Sequence, residues 1–244
     1  MNEAEQKIEQ EAVRWIRRHT NKGLIFDKFA SLNKYSTSAR PLVIFAAGSP
    51  GAGKTEFIKD FRKSIDKIQG TKSVCIDPDA IREFLPGYAG SNSYLFQRAV
   101  SIAVDDLFRL VLKNRQSTFM DGTLSDYNRA YQNISRVLDQ YSTVMILYVF
   151  QHPKIAWHFT QLREVVEGRN IQKKDFIDKF IGAKETVDKL KSHFGDRVNL
   201  NVILKDYKDT KENKAVEKVF HNVSSVEDCL TFDYTNDSIK RILL

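Results

Sequence analysis

The chain has 244 residues, 42% hydrophobic and 28% charged, with only 11 glycines and 5 prolines. That length can bury a sizeable core, and the composition excludes collagen, low-complexity disorder and a disulfide scaffold. The net charge of +7 is spread along the chain without a long basic block, which points to a soluble surface favouring anionic ligands rather than to a nucleic-acid groove.

Two cysteines, Cys75 and Cys229, fit a reducing compartment, so a cytoplasmic location is expected. No apolar run approaches membrane-spanning length, and the N-terminal stretch is too charged to read as a signal peptide.

Residues 2–19 read as a charged helix with Ile8, Ala12, Trp15 and Ile16 roughly on one face. So narrow an apolar face needs a partner surface, either on its own domain or across the mouth of a cleft. Residues 20–40 read as irregular. Pro41 then opens the apolar run Leu42–Ala47, the pattern of a strand buried on both faces in a parallel sheet. A helix follows from about Lys54 to Ile68, ended by Gly70.

The rhythm repeats. Strands are predicted at Ser73–Ile76, Thr118–Met120, Thr143–Phe150 and Val198–Leu204. Helices are predicted over 93–113, 126–139, 154–165 and 174–193. Strands alternating with helices predict an α/β fold, a three-layer α/β/α architecture with a mainly parallel sheet. The polar segment 205–222 reads as a surface excursion, and 223–244 as an edge strand with a short helix. The expected organisation is a helical extension (1–40), a main α/β domain (41–205) and a C-terminal extension packed on it (206–244).

Gly48-Ser49-Pro50-Gly51-Ala52-Gly53-Lys54-Thr55 matches G-x-x-x-x-G-K-[ST] between an apolar strand and a helix, the context this motif requires. Glycines let successive N–H groups turn inward onto phosphate oxygens, and the helix N-terminus adds to the attraction. Lys54 is expected to reach the β- and γ-phosphates of ATP, and the Thr55 hydroxyl to bind Mg²⁺. No N-K-x-D base-reading motif of a GTPase is present, and Asp105-Asp106 lies inside a helical pattern rather than at a strand end. A small-molecule kinase fits better. Such an enzyme needs a base near the acceptor hydroxyl, an acceptor pocket and arginines that close over the phosphates.

Asp79, just past the second strand in Asp77-Pro78-Asp79, is the candidate base, because ligands of open α/β sheets bind outside the carboxyl ends of the strands. Asp77 or Asp79 can also cap the helix that follows. Asp121, ending the third strand before Gly122-Thr123, is the acceptor-pocket candidate or a turn residue. Asp77 and Asp121 compete for an outer role around Mg²⁺. Arg163 and Arg169 flank Gly168 and suit a closing lid, or else pair in solvent with Glu164 and Glu167. The five histidines show no metal-ligand spacing, and Cys75 lies in a strand pattern.

The order of GSPGAGKT, IDPDAIREFLPGY, FMDGTLSDY and LREVVEGR resembles the zeta-toxin family of P-loop kinases over roughly residues 41–205. Its most specific part is Asp79…Arg82…Pro86-Gly87-Tyr88. The resemblance implies Asp79 as the acceptor-activating base, Lys54 and Thr55 on phosphate and Mg²⁺, and Arg163 and Arg169 as the lid. Asp121-Gly122-Thr123 would stand for the family's E-G-T segment, and Asp77, Arg82, Asp121 and Thr123 would line the acceptor site. It further implies transfer from ATP to the sugar 3′-hydroxyl of UDP-N-acetylglucosamine and restraint by a small helical antitoxin. The chain departs from the family in having Asp121 for Glu, Leu85 for the histidine before the proline, and closer lid arginines. A kinase of nucleic-acid ends or another nucleotide, and a nucleotide-binding module without turnover, stand as alternatives.

Overall fold

The computed structural model describes residues 1–141, 143–167, 171–205 and 216–244. Strand β1 (Val43–Ala47) is buried at every position, as its uninterrupted apolar run predicts. It pairs in parallel with β3 (Thr118–Met120) on one side and β4 (Val144–Phe150) on the other. Strand β2 (Val74–Ile76) lies outside β3, and β5 (Val198–Lys205) outside β4, both parallel to their neighbours. Strand β6 (Val216–Phe220) returns antiparallel along β5, giving the order β2-β3-β1-β4-β5-β6.

Alternation along the strands assigns each face its own core. Ile44, Ala46, Leu147, Val149 and Ile203 pack against Phe57, Ile58, Phe61 and Ile65 of α3 (Lys54–Gln69). Val43, Phe45, Ala47, Ile146 and Tyr148 face the opposite way. There they meet α5 (Gln97–Lys113), α6 (Tyr127–Leu138) and α8 (Lys173–Phe194). A third cluster joins α7 (Pro153–Glu167), α8 and α9 (Asn236–Ile242) around Phe176, Phe180 and Tyr234. Among the described residues no helix is long and apolar enough to cross a membrane.

Two stretches differ from the sequence reading. Residues expected to be irregular form α2 (His19–Ala30), which follows α1 (Glu3–Arg17) after a break at Arg18. Its apolar periodicity is weak and Gly23 sits inside it. Tertiary contacts hold it instead: Ile25 and Ala30 are buried, and Lys22 pairs with Asp106 of α5 at 2.7 Å. The edge strand falls at 216–220, within the expected polar excursion, and not in 223–244. An edge strand exposes most of its side chains, so Glu217 and Lys218 suit it while hiding its pattern.

Helix α1 buries Ala12, Val13 and Ile16 in the main core. Neither α1 nor α2 lines the clefts described next, so the apolar face of α1 is met by its own domain.

Candidate active site

The segment after β1 turns sharply into α3. Gly48, Gly51 and Gly53 all have left-handed φ. At two of them space is the stronger constraint. A Cβ on Gly48 would lie 2.2 Å from the Val149 carbonyl oxygen, and one on Gly51 2.0 Å from that of Ala156. The loop therefore nests against β4 and α7. Lys54 opens α3 and is buried; its Nζ donates to the carbonyls of Gly48 (3.0 Å) and Ser49 (2.6 Å). Burial pulls its pKa down to about 8, partly opposed by the carboxylate of Asp121.

The ends of β2 and β3 bring the carboxylates in. Asp77 caps α4 (Pro78–Glu83) by accepting from the Asp79 amide at 2.8 Å, which settles which aspartate caps and leaves the Asp79 carboxylate for other partners. Arg82, one turn on, is 3% exposed. It places Nη1 2.6 Å from Asp79 Oδ1 and donates through Nη2 to Gln97 Oε1 at 3.2 Å. Arg163 of α7 reaches over from the other side, its Nη2 3.8 Å from Asp79 Oδ2. Asp121 accepts from the Thr55 hydroxyl at 2.9 Å. Its pKa is raised chiefly by burial, against the pull of Lys54 and with Asp77 adding to the rise. Burial likewise raises Asp77, with the Asp79 charge adding to it. The Thr123 hydroxyl meets Ser125 Oγ at 2.9 Å, and its carbonyl accepts from the Gly48 amide, tying the end of β3 to the loop.

These residues line one cleft of about 720 Å³ that runs from the glycine loop past Asp77, Asp79, Arg82, Asp121 and Thr123 to Arg163. A second hollow of about 460 Å³ adjoins it, sharing Thr55, Asp77, Asp79 and Arg163 and continuing to Glu83 and Tyr88. Arg169, the other lid candidate, lies outside the described residues. Sequence reasoning missed Gln97, Arg129, Phe159 and Lys179, which also line the larger cleft. They come from α5, α6, α7 and α8, carry no motif, and become visible only once the helices are packed. Cys75 is a partly buried strand thiol whose pKa desolvation pushes up to about 12, which makes it a poor nucleophile.

A buried lysine in a glycine loop, a hydroxyl beside a carboxylate and an aspartate between two arginines are the kinds of group that phosphoryl transfer uses. The sequence profile of the family described as Zeta toxin matches residues 27–222. The chain belongs to the zeta-toxin family. Membership makes it a phosphotransferase, and its sheet is that of P-loop kinases. Comparison with curated proteins returns no match.

Among solved structures, the fold is similar to one from the PezAT chromosomal toxin–antitoxin system of Streptococcus pneumoniae. Identity is 15% and the TM-score 0.61, over 99% of this zeta-toxin family chain and 94% of that one. It is also similar to AvrRxo1-ORF1:AvrRxo1-ORF2 solved with sulphate ions (14% identity, TM-score 0.55), covering 82% of this chain and 63% of that one. The same complex solved with ATP gives 12% identity and a TM-score of 0.54, with the same coverage.

Proposed function

We propose that this protein is an ATP-dependent kinase of a hydroxyl-bearing metabolite, with UDP-N-acetylglucosamine as its acceptor. The observation that carries the reading is the position of Asp79. It lies where the two hollows meet, on the same cleft as Lys54 and Thr55 and within ion-pair reach of Arg82 and Arg163.

The residues present fit the nucleotide. The glycine loop is a cradle that side chains would fill, and Lys54 is a buried lysine at its end whose Nζ donates to the carbonyls of Gly48 and Ser49. They also fit Mg²⁺. Thr55 and Asp121 offer hard oxygens, with Asp77 on the same cleft, and this ion is held by one or two carboxylates together with substrate phosphates. When bound it would neutralise charge on the β- and γ-phosphates.

Asp79 would accept the proton of the acceptor hydroxyl as that oxygen attacks the γ-phosphorus. The bond from phosphorus to the bridging oxygen breaks, and ADP leaves with its electron pair. Lys54 and Arg163, with Arg169 as a second lid residue, would stabilise the charge on the transferring group. Thr123, Arg82, Asp77 and Asp121 would line the acceptor's end of the cleft. A small helical antitoxin is the proposed partner, supported by the likeness to a protein solved within a toxin–antitoxin system.

The test is incubation with ATP, Mg²⁺ and UDP-N-acetylglucosamine beside a panel of other hydroxyl metabolites, with product read by mass spectrometry. The reading expects a phosphorylated sugar nucleotide from the wild type. Asp79→Asn should lower turnover by about 10²-fold or more with unchanged ATP affinity. Phosphorylation of another metabolite alone would overturn the acceptor. Equal turnover by Asp79→Asn would overturn the base.

A further inference from the structure

Helix α4 has only six residues, too few to hold itself in water, so its position is set by what it packs against. On the cleft side it presents Asp79. On the core side it buries Ile81, followed by Leu85 just past its end. At its C-cap stands Phe84, whose ring is met edge-on by Trp15 of α1 (centroids 6.3 Å apart) and by Phe29 of α2 (5.9 Å). The two N-terminal helices are themselves fixed to the domain. Lys22 pairs with Asp106, Glu5 accepts from the Tyr94 hydroxyl, and Gln116 Nε2 donates to the carbonyls of Ala30 and Tyr35. Asp79 is thus held by two routes: through Arg82 and Gln97 to α5, and through the backbone of α4 and Phe84 to α1 and α2.

We infer that Trp15, Phe29 and Phe84 are positioning residues of the phosphoryl-transfer centre, and that the N-terminal helix pair is a buttress for the short helix carrying Asp79. The inference rests on the reading of Asp79 as the base. None of the three side chains lines the cleft. The nucleotide-binding loop hangs from β1 and α3 and shares no ring contact with this aromatic trio. Loss of the buttress therefore lets Asp79 drift while the loop keeps its shape, and displacement of a catalytic group by about 1 Å costs up to roughly 10²-fold in rate.

The experiment compares Trp15→Ala and Trp15→Phe with wild type, at a temperature where circular dichroism shows each fully folded. Trp15→Ala should lower kcat about tenfold with KM for ATP within about twofold, and Trp15→Phe should restore most of the loss. A folded Trp15→Ala with wild-type kcat overturns the inference, as does an equal loss in both variants. If Trp15→Ala does not fold, Phe29→Leu takes its place under the same criteria.

Hydrogen exchange keeps the test independent of the acceptor. Faster exchange in the variant, confined to amides 79–88 and sparing those of α3, supports the buttress. Unchanged or uniformly faster exchange overturns it. If the wild type phosphorylates nothing in the panel, the proposed function fails on that result alone, and the exchange data still decide whether the aromatic trio holds α4.

Discussion

The Thr55 hydroxyl donates to Asp121 Oδ2 at 2.9 Å, joining the first turn of α3 to the end of β3. Both residues belong to a site in which burial raises the pKa of this carboxylate, with Lys54 pulling against the rise and Asp77 adding to it. Asp121→Asn keeps an oxygen for Thr55 but removes the charge. We expect the Mg²⁺ concentration for half-maximal turnover to rise about tenfold or more, because the ion loses an anionic neighbour. A magnesium titration at saturating ATP checks this, and an unchanged midpoint would place the ion elsewhere.

The pKa of Lys54 gives a pH dependence with a definite sign. In the free protein burial lowers it to about 8. Phosphate oxygens at the ammonium would favour the charged form, so the pKa rises on binding. Affinity for ATP is then fully present below pH 8 and falls as the pH rises above about 8, by up to about tenfold per unit until the bound-state value is passed. Calorimetry at pH 8.5 in buffers of different ionisation enthalpy should register proton uptake on binding. Asp121→Asn should shift the fall to lower pH, since the Asp121 charge supports the protonated lysine. A flat affinity across this range would contradict the assignment.

Arg163 stands 3.8 Å from Asp79 with nearly half of its side chain exposed. That pair contributes little to folding. Arg163→Ala should leave the melting temperature within a few degrees of wild type yet lower kcat by about 10³-fold, the scale of an arginine that stabilises a transferring phosphoryl group. Arg163→Lys should recover only part of that, because an ammonium lacks the planar fork. Steady-state kinetics beside a thermal melt separate the two effects.

Gly51→Ala is the most direct test of the loop. The added methyl would enter the space of the Ala156 carbonyl oxygen and of Thr160 Oγ1, and φ at this position is +70°. The loop must move away from α7. ATP binding should be lost while the sheet survives, and near-native circular dichroism with no calorimetric binding signal is the outcome to look for. Wild-type affinity in this variant would mean that the loop does not close on α7 as described.

Much of this site was legible from local chemistry. An apolar run bounded by proline and glycine, then G-x-x-x-x-G-K-T, specifies strand, loop and helix without reference to the rest of the chain. Asp77-Pro78-Asp79 and Asp121-Gly122 mark strand ends because their backbone preferences cannot continue a ladder. What escaped is what tertiary contact decides. Helix α2 has too little periodicity to announce itself and is held by Lys22 and Ile25. Strand β6 is an edge whose side chains, apolar Val216 and Val219 included, are mostly exposed, so it carries no alternating burial pattern. The family resemblance places Arg82 at the acceptor site, while its burial against Asp79 and Gln97 depends on α5 lying alongside. Phe84 looks like one aromatic among many until Trp15 and Phe29 are seen on its ring.

The place of β1 in the sheet has a consequence for synthesis of the chain. Its two neighbours, β3 and β4, lie about seventy and one hundred residues further along, so an emerging polypeptide carries the nucleotide-binding loop long before either flank exists. Pairings of such sequence separation form late. A nascent chain stalled before residue 118 holds Lys54 and Asp79 but has no sheet to set them side by side. An N-terminal fragment that ends before β4 therefore carries the glycine loop without both of the strands that flank β1.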